Sequence, residues 1–217
     1  STSFSGDNKT LLLDVNERAN GYDFYDLGDL SIGPDDHLMT IAEDTDSRRI
    51  YTIYFKDLNN SSDSQEHYLP DKLVETEGQI IWANDNKTVF YVKKDLETLL
   101  GTQVYRHKIG SPQSDDVLVY EEEDHSFYMS LDKSRDDSQI YICLHATEST
   151  HYLSLCADEP DGEFIDLFPY EEEHEYHADK MGEHFYIVTN YQAKNFRLFD
   201  ETLTILKKAW KEKFFDH

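Results

Sequence analysis

Runs of carboxylates are the side chains of this sequence with the clearest chemical potential. Two runs stand out, Glu121-Glu122-Glu123-Asp124-His125 and Glu171-Glu172-Glu173-His174. Carboxylates gathered on one surface attract a cationic ligand such as a basic peptide, whereas a single acidic run is usually a solvated loop. For each run alone we favour the solvated loop, and we assign the attraction to the summed negative field. Glu121 and Glu122 are the acids predicted to face a substrate or an interface.

Arginines are scarce, because the chain has only 20 Lys and Arg against 45 Asp and Glu. Arg48, Arg49 and Arg106 are therefore candidates for contacts with a substrate or a neighbouring domain. A buried guanidinium is normally paired with a carboxylate, so pairing within the fold is the favoured reading for these arginines.

The sequence contains little evidence for a metal site or for a catalytic nucleophile. His174, His177 and His184 do not have the spacing of a helical zinc motif, and a strand would place His174 and His177 on opposite faces. No Gly-x-Ser-x-Gly string occurs, the turn on which many hydrolases present their serine. We therefore predict no metal, no cofactor and no catalytic residue, and we expect this chain alone to hydrolyse nothing.

The bulk composition indicates a folded acidic protein. The 217 residues are 13% aromatic and carry a net charge of −25, a field that repels nucleic acid and anionic membranes. No apolar run approaches the length of a membrane span. Cys143 lies in the apolar run Ile140–Leu144, so we expect a buried, reduced thiol in a cytoplasmic protein, with a disulfide to Cys156 as the alternative.

A repeat of about fifty residues organises the chain. Leu38, Val89, Ile140 and Phe185 occupy the same place in successive units, at intervals of 51, 51 and 45 residues. Each unit contains short apolar and aromatic strands separated by turns rich in Asp, Asn, Gly and Lys. Four short strands per unit are typical of an all-β propeller, whereas a β-sandwich, the competing fold, need not repeat at this interval.

The repeat predicts an open arc of about four propeller blades. Their limits are expected near 22–70, 71–124, 125–173 and 174–199, within a propeller domain that spans 1–199. Stacked blades cover both faces of their middle strands, which explains the continuous apolar runs of Val89–Val92 and Ile140–Leu144. The remaining tail, 200–217, is rich in Lys and Leu; an amphipathic helix, a swapped strand and a segment foreign to the propeller all stay open.

Several strings in these units resemble the oligopeptidase B (protease II) branch of the prolyl oligopeptidase family. The resemblance covers roughly residues 11 to 198, in the order of the family. The strings that carry it include Leu12 to Ala19, Trp82 to Asp85, Thr88 to Val92, His174 to Tyr176 and Phe185 to Asn190.

The resemblance implies a function that this chain shares with a partner domain. In such enzymes a seven-bladed propeller caps an α/β-hydrolase domain that holds a Ser-Asp-His triad and cleaves short peptides after Arg or Lys. The chain would then exclude large substrates and attract basic peptides, with the hydrolase domain as its partner. A free-standing propeller that binds a basic protein is the alternative, and a carbohydrate-active propeller is a weaker one. Exposed blade edges further predict a homo-oligomer.

Overall fold

The computed structural model describes residues 11–59 and 67–202, which form an almost entirely β protein. A single helical turn, α1 (Val15–Arg18), precedes the strands, and a short 3-10 helix (Gln113–Asp115) lies between two of them. The strands are β1 (Asp26–Ile32), β2 (Leu38–Asp44), β3 (Tyr51–Asp57), β4 (Tyr68–Trp82), β5 (Thr88–Lys94), β6 (Gly101–Lys108), β7 (Val117–Glu121), β8 (Tyr128–Lys133), β9 (Gln139–His145), β10 (Thr150–Cys156), β11 (Ile165–Asp166), β12 (Tyr176–Met181), β13 (His184–Thr189) and β14 (Arg197–Thr202).

Within each sheet, strands that are consecutive in the chain pair with each other, always antiparallel. They form a seven-stranded sheet in the order β1 to β7, a four-stranded sheet β11-β10-β9-β8 and a three-stranded sheet β12-β13-β14. Short consecutive antiparallel strands of this kind are the building plan of a propeller, so the predicted fold class is confirmed. Within the described residues the strand order does not close into a ring.

The long strand β4 serves two four-stranded units. Its first half pairs with β3 and ends at Thr76, while Ile80 to Trp82 pair with β5. The chain reverses between these halves, where Glu75 and Gly78 have positive φ. We propose blade limits from this pairing: β1 to the first half of β4, the second half of β4 to β7, β8 to β11, and β12 to β14. Most of the predicted tail, 203–217, lies outside the described residues.

The core lies between the units. Within β5, Val89 to Val92 are buried on both faces, and Ile140 to Leu144 of β9 are buried in the same way. One cluster joins Phe90 and Val92 to Ile142 of the next sheet. The prediction that stacked units cover both faces of these strands is therefore confirmed.

One position in the first strand of a unit repeatedly contacts the preceding unit. The residues at this position pair with Val89, Ile140 and Phe185, respectively: Trp82, Lys133 and Lys180. The Trp82 ring lies over Gly33. The Lys133 ammonium donates to Asn84 Oδ1 at 2.7 Å, and that of Lys180 lies 3.2 Å from Asp136 Oδ2. At this position, apolar packing at the first seam is replaced by ion and hydrogen-bond pairing at the later ones, beside the apolar clusters that all the seams contain.

Both cysteines are free thiols, Cys143 buried and Cys156 partly buried. Burial, reinforced by the charge of Asp132, raises the pKa of Cys143 to about 12, so this thiol stays protonated and unreactive near neutral pH. The predicted burial of Cys143 is confirmed. Among the described residues, no helix has the length and apolarity that a bilayer crossing requires.

His145, at the seam between the third and fourth units, is expected to make that seam sensitive to acid. His145 lies at the exposed end of β9, and partial desolvation, followed by the charge of His177, lowers its pKa below the ordinary 6.5. Both imidazoles pack against the Tyr152 ring, which is hydrogen-bonded to His177 Nδ1 at 3.2 Å. Because the fold favours neutral His145, its contribution to stability is present above about pH 6.5 and is lost as the pH falls.

When the pH is lowered from about 7.5 to about 5, the free energy of unfolding should fall less in His145→Gln than in the native chain. Urea unfolding at both pH values measures this difference. His37→Gln, in an exposed turn beside Asp35, is the control and should keep the native pH dependence. An unchanged pH dependence in His145→Gln would contradict the assignment.

Candidate functional site

A cavity of about 460 Å³ opens where β5, β6 and β7 meet at one end of the second unit. We call it the acidic cleft. Its lining residues come from the end of β5, the start of β6, the end of β7 and the link that follows: Lys94, Asp95, Leu96, Thr102, Gln103, Glu121, Glu122, Glu123 and His125. Four carboxylates therefore share one opening with a single lysine.

Strand pairing places the two walls of the acidic cleft side by side. Gln103 of β6 lies opposite Glu121 of β7, and its amide donates to Glu121 Oε1 at 2.7 Å. One residue further on, the Glu122 backbone N–H donates to the carbonyl of Thr102 at 2.8 Å. Glu122 also accepts the Tyr120 hydroxyl hydrogen at 2.7 Å. The glutamates are thus held along the rim by β-sheet register and by neighbouring donors.

The acids of the cleft are poorly neutralised by the protein itself. The Lys94 side chain is only 5% exposed, and its ammonium is directed to the Arg49 carbonyl at 2.6 Å and to Glu77 at 3.1 Å. Hydrogen bonds from Thr98, from its backbone N–H first, lower the pKa of Asp95, so this carboxylate is ionised at neutral pH. The cleft therefore presents net negative charge, suited to an ammonium or a guanidinium.

Both acidic runs lie at the same end of the molecule as the cleft. Successive strands alternate in direction, so the 45–50, 95–100 and 146–149 turns and the links between units fall at one end, which we call the cleft end. The second run belongs to the link 167–175, where the Glu173 N–H donates to Ser149 Oγ at 3.1 Å. The two acidic runs predicted from sequence thus share one end of the molecule.

The five predicted site residues separate into two groups. Glu121 and Glu122 line the cleft, and the exposed Arg48 and Arg49 occupy the 45–50 turn, tied to the cleft through Lys94. Arg106 lies elsewhere. Its guanidinium donates to the Pro160 carbonyl at 2.9 Å and lies 3.4 Å from Asp161, which agrees with pairing between units. Contact of any of these residues with substrate stays a prediction.

The three histidines weighed for metal binding have separate partners. His174 Nε2 lies 2.8 Å from Thr189 Oγ1, His177 faces the Tyr152 hydroxyl, and His184 lies 2.6 Å from Asp200. In the described part of the chain, no group of three or more His, Cys, Asp or Glu side chains has an arrangement that could hold a metal ion.

Comparison with known proteins identifies the architecture. The family model for the prolyl oligopeptidase N-terminal β-propeller domain matches residues 1–217. The chain belongs to this family. In such peptidases the propeller domain accompanies a hydrolase domain, so the predicted resemblance is confirmed at the level of the family.

Relatives within the family carry several peptidase names. The chain is 42% identical over 204 residues to dipeptidyl aminopeptidase BI of Pseudoxanthomonas mexicana, covering 93% of this chain and 27% of that protein. It is 26% identical over 190 residues to protease 2 of Moraxella lacunata, covering 87% and 27%. The structure of oligopeptidase B from Leishmania major matches with a TM-score of 0.79 at 30% identity, covering 88% and 26%. The chain thus spans about a quarter of the length of these relatives.

Sequence reasoning missed one whole wall of the cleft. Lys94, Asp95 and Gln103 lie on β5, in the turn after it and on β6, and nothing in their local pattern distinguishes them from other polar residues at strand ends. The signal that could have found Lys94 is its position in β5, directly after the buried strand core. A lysine there must either reach solvent or find partners, and it finds Arg49 and Glu77.

Proposed function

We propose that this chain is the non-catalytic propeller segment of a serine oligopeptidase that cleaves short peptides after Arg or Lys. The observation that carries the proposal is the acidic cleft, in whose lining the one lysine of the described residues, Lys94, is committed to Arg49 and Glu77. A surface of this charge raises the local concentration of basic peptides. The family relationship supplies the hydrolase domain to which those peptides would pass.

The seam between the second and third units supports the further role of a size filter. The Gln79 side chain acts as a substitute β-strand partner, donating to the Leu131 carbonyl at 2.5 Å and accepting the Leu131 N–H at 2.8 Å. Neighbouring first strands are therefore tied to each other as well as packed. A wall joined in this way excludes folded proteins and leaves access to short, extended peptides.

A second candidate is an enzyme that removes dipeptides from free N-termini, since the 42% identical relative is named dipeptidyl aminopeptidase BI. A free α-amino group is also a cation, so the acidic cleft suits both activities. Assays of the whole protein separate them. An N-terminally blocked arginyl amide is cleaved only by the endopeptidase, and an unblocked dipeptidyl amide is the preferred substrate of the aminopeptidase. The free-standing module that binds a basic protein gains no support from the comparisons.

The cleft itself is tested by removing its charge in the whole protein. We expect Glu121→Gln/Glu122→Gln/Glu123→Gln to raise KM for a basic peptide about three- to ten-fold at low ionic strength, with kcat unchanged. The lost charges attract the peptide before it binds and take no part in the bond-breaking step. The effect should fade at high salt. Steady-state kinetics over a salt series measure it.

The matched control carries the same charge change at the opposite end of the sheets. Glu159→Gln/Glu163→Gln/Glu183→Gln alters three exposed acids in the loop after β10 and in the β12–β13 turn. KM should change less than two-fold in this variant, because its charges lie much farther from a peptide at the acidic cleft and their influence falls with distance. Equal changes in both variants would show that only total charge matters, and no change in either would remove the proposed attraction.

A further inference from the structure

A buried carboxylate on β2 has an arrangement that fits arginine. Glu43 is only 6% exposed, and both of its oxygens accept hydrogen bonds from one guanidinium. The Arg18 Nε donates to Oε1 at 2.7 Å, and Nη2 donates to Oε2 at 2.6 Å. The Tyr25 hydroxyl donates to Oε1 at 2.6 Å. This is the bidentate geometry that a planar guanidinium forms and an ammonium cannot.

Two tyrosine rings complete the enclosure of the guanidinium. The Arg18 Cζ lies 4.9 Å from the Tyr68 ring centroid and 5.6 Å from that of Tyr54. Although burial alone lowers the pKa of Arg18, the hydrogen bond and charge of Glu43 raise it above the ordinary value. Carboxylate, aromatic faces and partial desolvation together favour arginine over lysine. We call Glu43, Tyr54 and Tyr68 the arginine pocket.

The segment that fills the arginine pocket contains no fully buried residue. It comprises residues 11–25, and its helix α1 is a single turn without buried residues. Besides Arg18, this segment is anchored by Tyr25, which donates to Glu43, and by the Leu12 carbonyl, which accepts a hydrogen bond from Lys56 at 2.6 Å. Next to Arg18 is a cavity of about 550 Å³, lined in part by Tyr22, Pro70 and Lys72. It leaves room for residues that flank an incoming side chain.

We propose that the arginine pocket is a binding site for an arginine side chain of a peptide, which Arg18 fills from within the same chain. When the 11–25 segment detaches, an arginine from another peptide takes the same two hydrogen bonds and the same ring contacts. Occupation by Arg18 and by a peptide exclude each other. The site lies outside the acidic cleft and does not depend on where the whole enzyme cuts its substrates.

The test asks whether an empty pocket takes up free arginine. Arg18→Ala should lower the thermal midpoint, and N-acetyl-arginine amide should restore part of it in a saturable manner. N-acetyl-lysine amide has the same charge without the planar fork, so we expect its effect to be about ten-fold weaker at equal concentration. Arg18→Ala/Glu43→Gln should lose the arginine response, because the bidentate acceptor is gone.

Arg48→Ala is the matched control, since it removes an arginine from an exposed turn without opening a pocket. It should respond to both amides no more than the native chain does. Equal responses to arginine and lysine amides, or equal responses in Arg48→Ala and Arg18→Ala, would overturn the proposal.

Hydrogen exchange on the native chain covers the case in which Arg18→Ala does not fold. N-acetyl-arginine amide that competes with Arg18 for the pocket should speed exchange at the amides of residues 15–25 roughly several-fold. These amides include the Ala19 N–H that donates to Val15. Exchange speeds up because the ligand increases the fraction of molecules in which this segment is detached. The lysine amide should leave exchange unchanged. Exchange that the arginine amide does not alter at any concentration would overturn the proposal by itself.

Discussion

Gly78→Ala is expected to lower the free energy of unfolding by about 3 kcal/mol, the sum of a left-handed backbone penalty and an overpacking penalty. Gly78 has a φ of +92°, in the reversal within β4 that joins the first two units. A Cβ at this position would lie 2.8 Å from carbon atoms of the Tyr51 ring. That ring is held between Gly78 and Gly28 of β1, and its hydroxyl donates to Asp26 at 2.7 Å, so it has little freedom to move.

Gly110→Ala separates the two penalties. Gly110 has the same φ of +92°, but an added Cβ meets no atom within 4 Å. Only the backbone cost remains, and we expect a loss of about 1 kcal/mol. Urea unfolding of both variants gives the difference.

Removing the ring provides the second control for Gly78. In a Tyr51→Ala background the further change Gly78→Ala should cost no more than Gly110→Ala does, because the steric term has gone. Equal losses for Gly78→Ala and Gly110→Ala in the native background would mean that Tyr51 moves aside without cost.

Asp116→Ala is expected to destabilise the fold by about 3–4 kcal/mol, because it leaves two buried donors without an acceptor. The Asp116 carboxylate accepts hydrogen bonds from His107 Nδ1 at 2.7 Å and from the Tyr91 hydroxyl at 2.8 Å. His107 is fully buried and stacks on Phe55 of the first unit. Its other nitrogen lies 3.8 Å from Asp71, on the first half of β4. The change therefore weakens the seam between the first two units.

The neighbouring Asp115 is the matched control for Asp116. It lies in the same turn but is exposed, so Asp115→Ala should change stability by less than about 0.5 kcal/mol. A double-mutant cycle of Asp116→Ala with Tyr91→Phe should give a coupling of about 1–2 kcal/mol. Similar losses for Asp115→Ala and Asp116→Ala would show that the network contributes nothing beyond surface charge.

The repeat and the strands could be predicted because their signals are local. The runs around Val89 and Ile140 are apolar at consecutive positions, and that pattern alone indicates strands covered on both faces. Turns rich in Asp and Asn mark several intervals between strands, as residues 83–87 between β4 and β5 and residues 134–138 between β8 and β9 show. The limits of single strands were harder to predict, since the single strand β4 reverses within its length and contributes one half to each of two units.

The candidate site was predicted only in part. Glu121 and Glu122 were identified from their position in an acidic run, and the structure adds Lys94 and Gln103 from strands far from that run in sequence. The arginine pocket was not foreseen. Arg18 and Glu43 are 25 residues apart in the chain. The sequence contains 20 Lys and Arg and 45 Asp and Glu, and nothing in it shows which of them pair.

The sequence by itself determined the all-β repeat, the family resemblance and the net negative charge, because strand periodicity, turn residues and charge are properties of short segments or of composition. Only the tertiary structure decided which of the charges act together. It committed Lys94 to Arg49 and Glu77 and so left the cleft negative, and it enclosed Arg18 against Glu43. These outcomes depend on desolvation and on the meeting of distant strands, which set the strength of a charge pair and are not encoded in any local pattern.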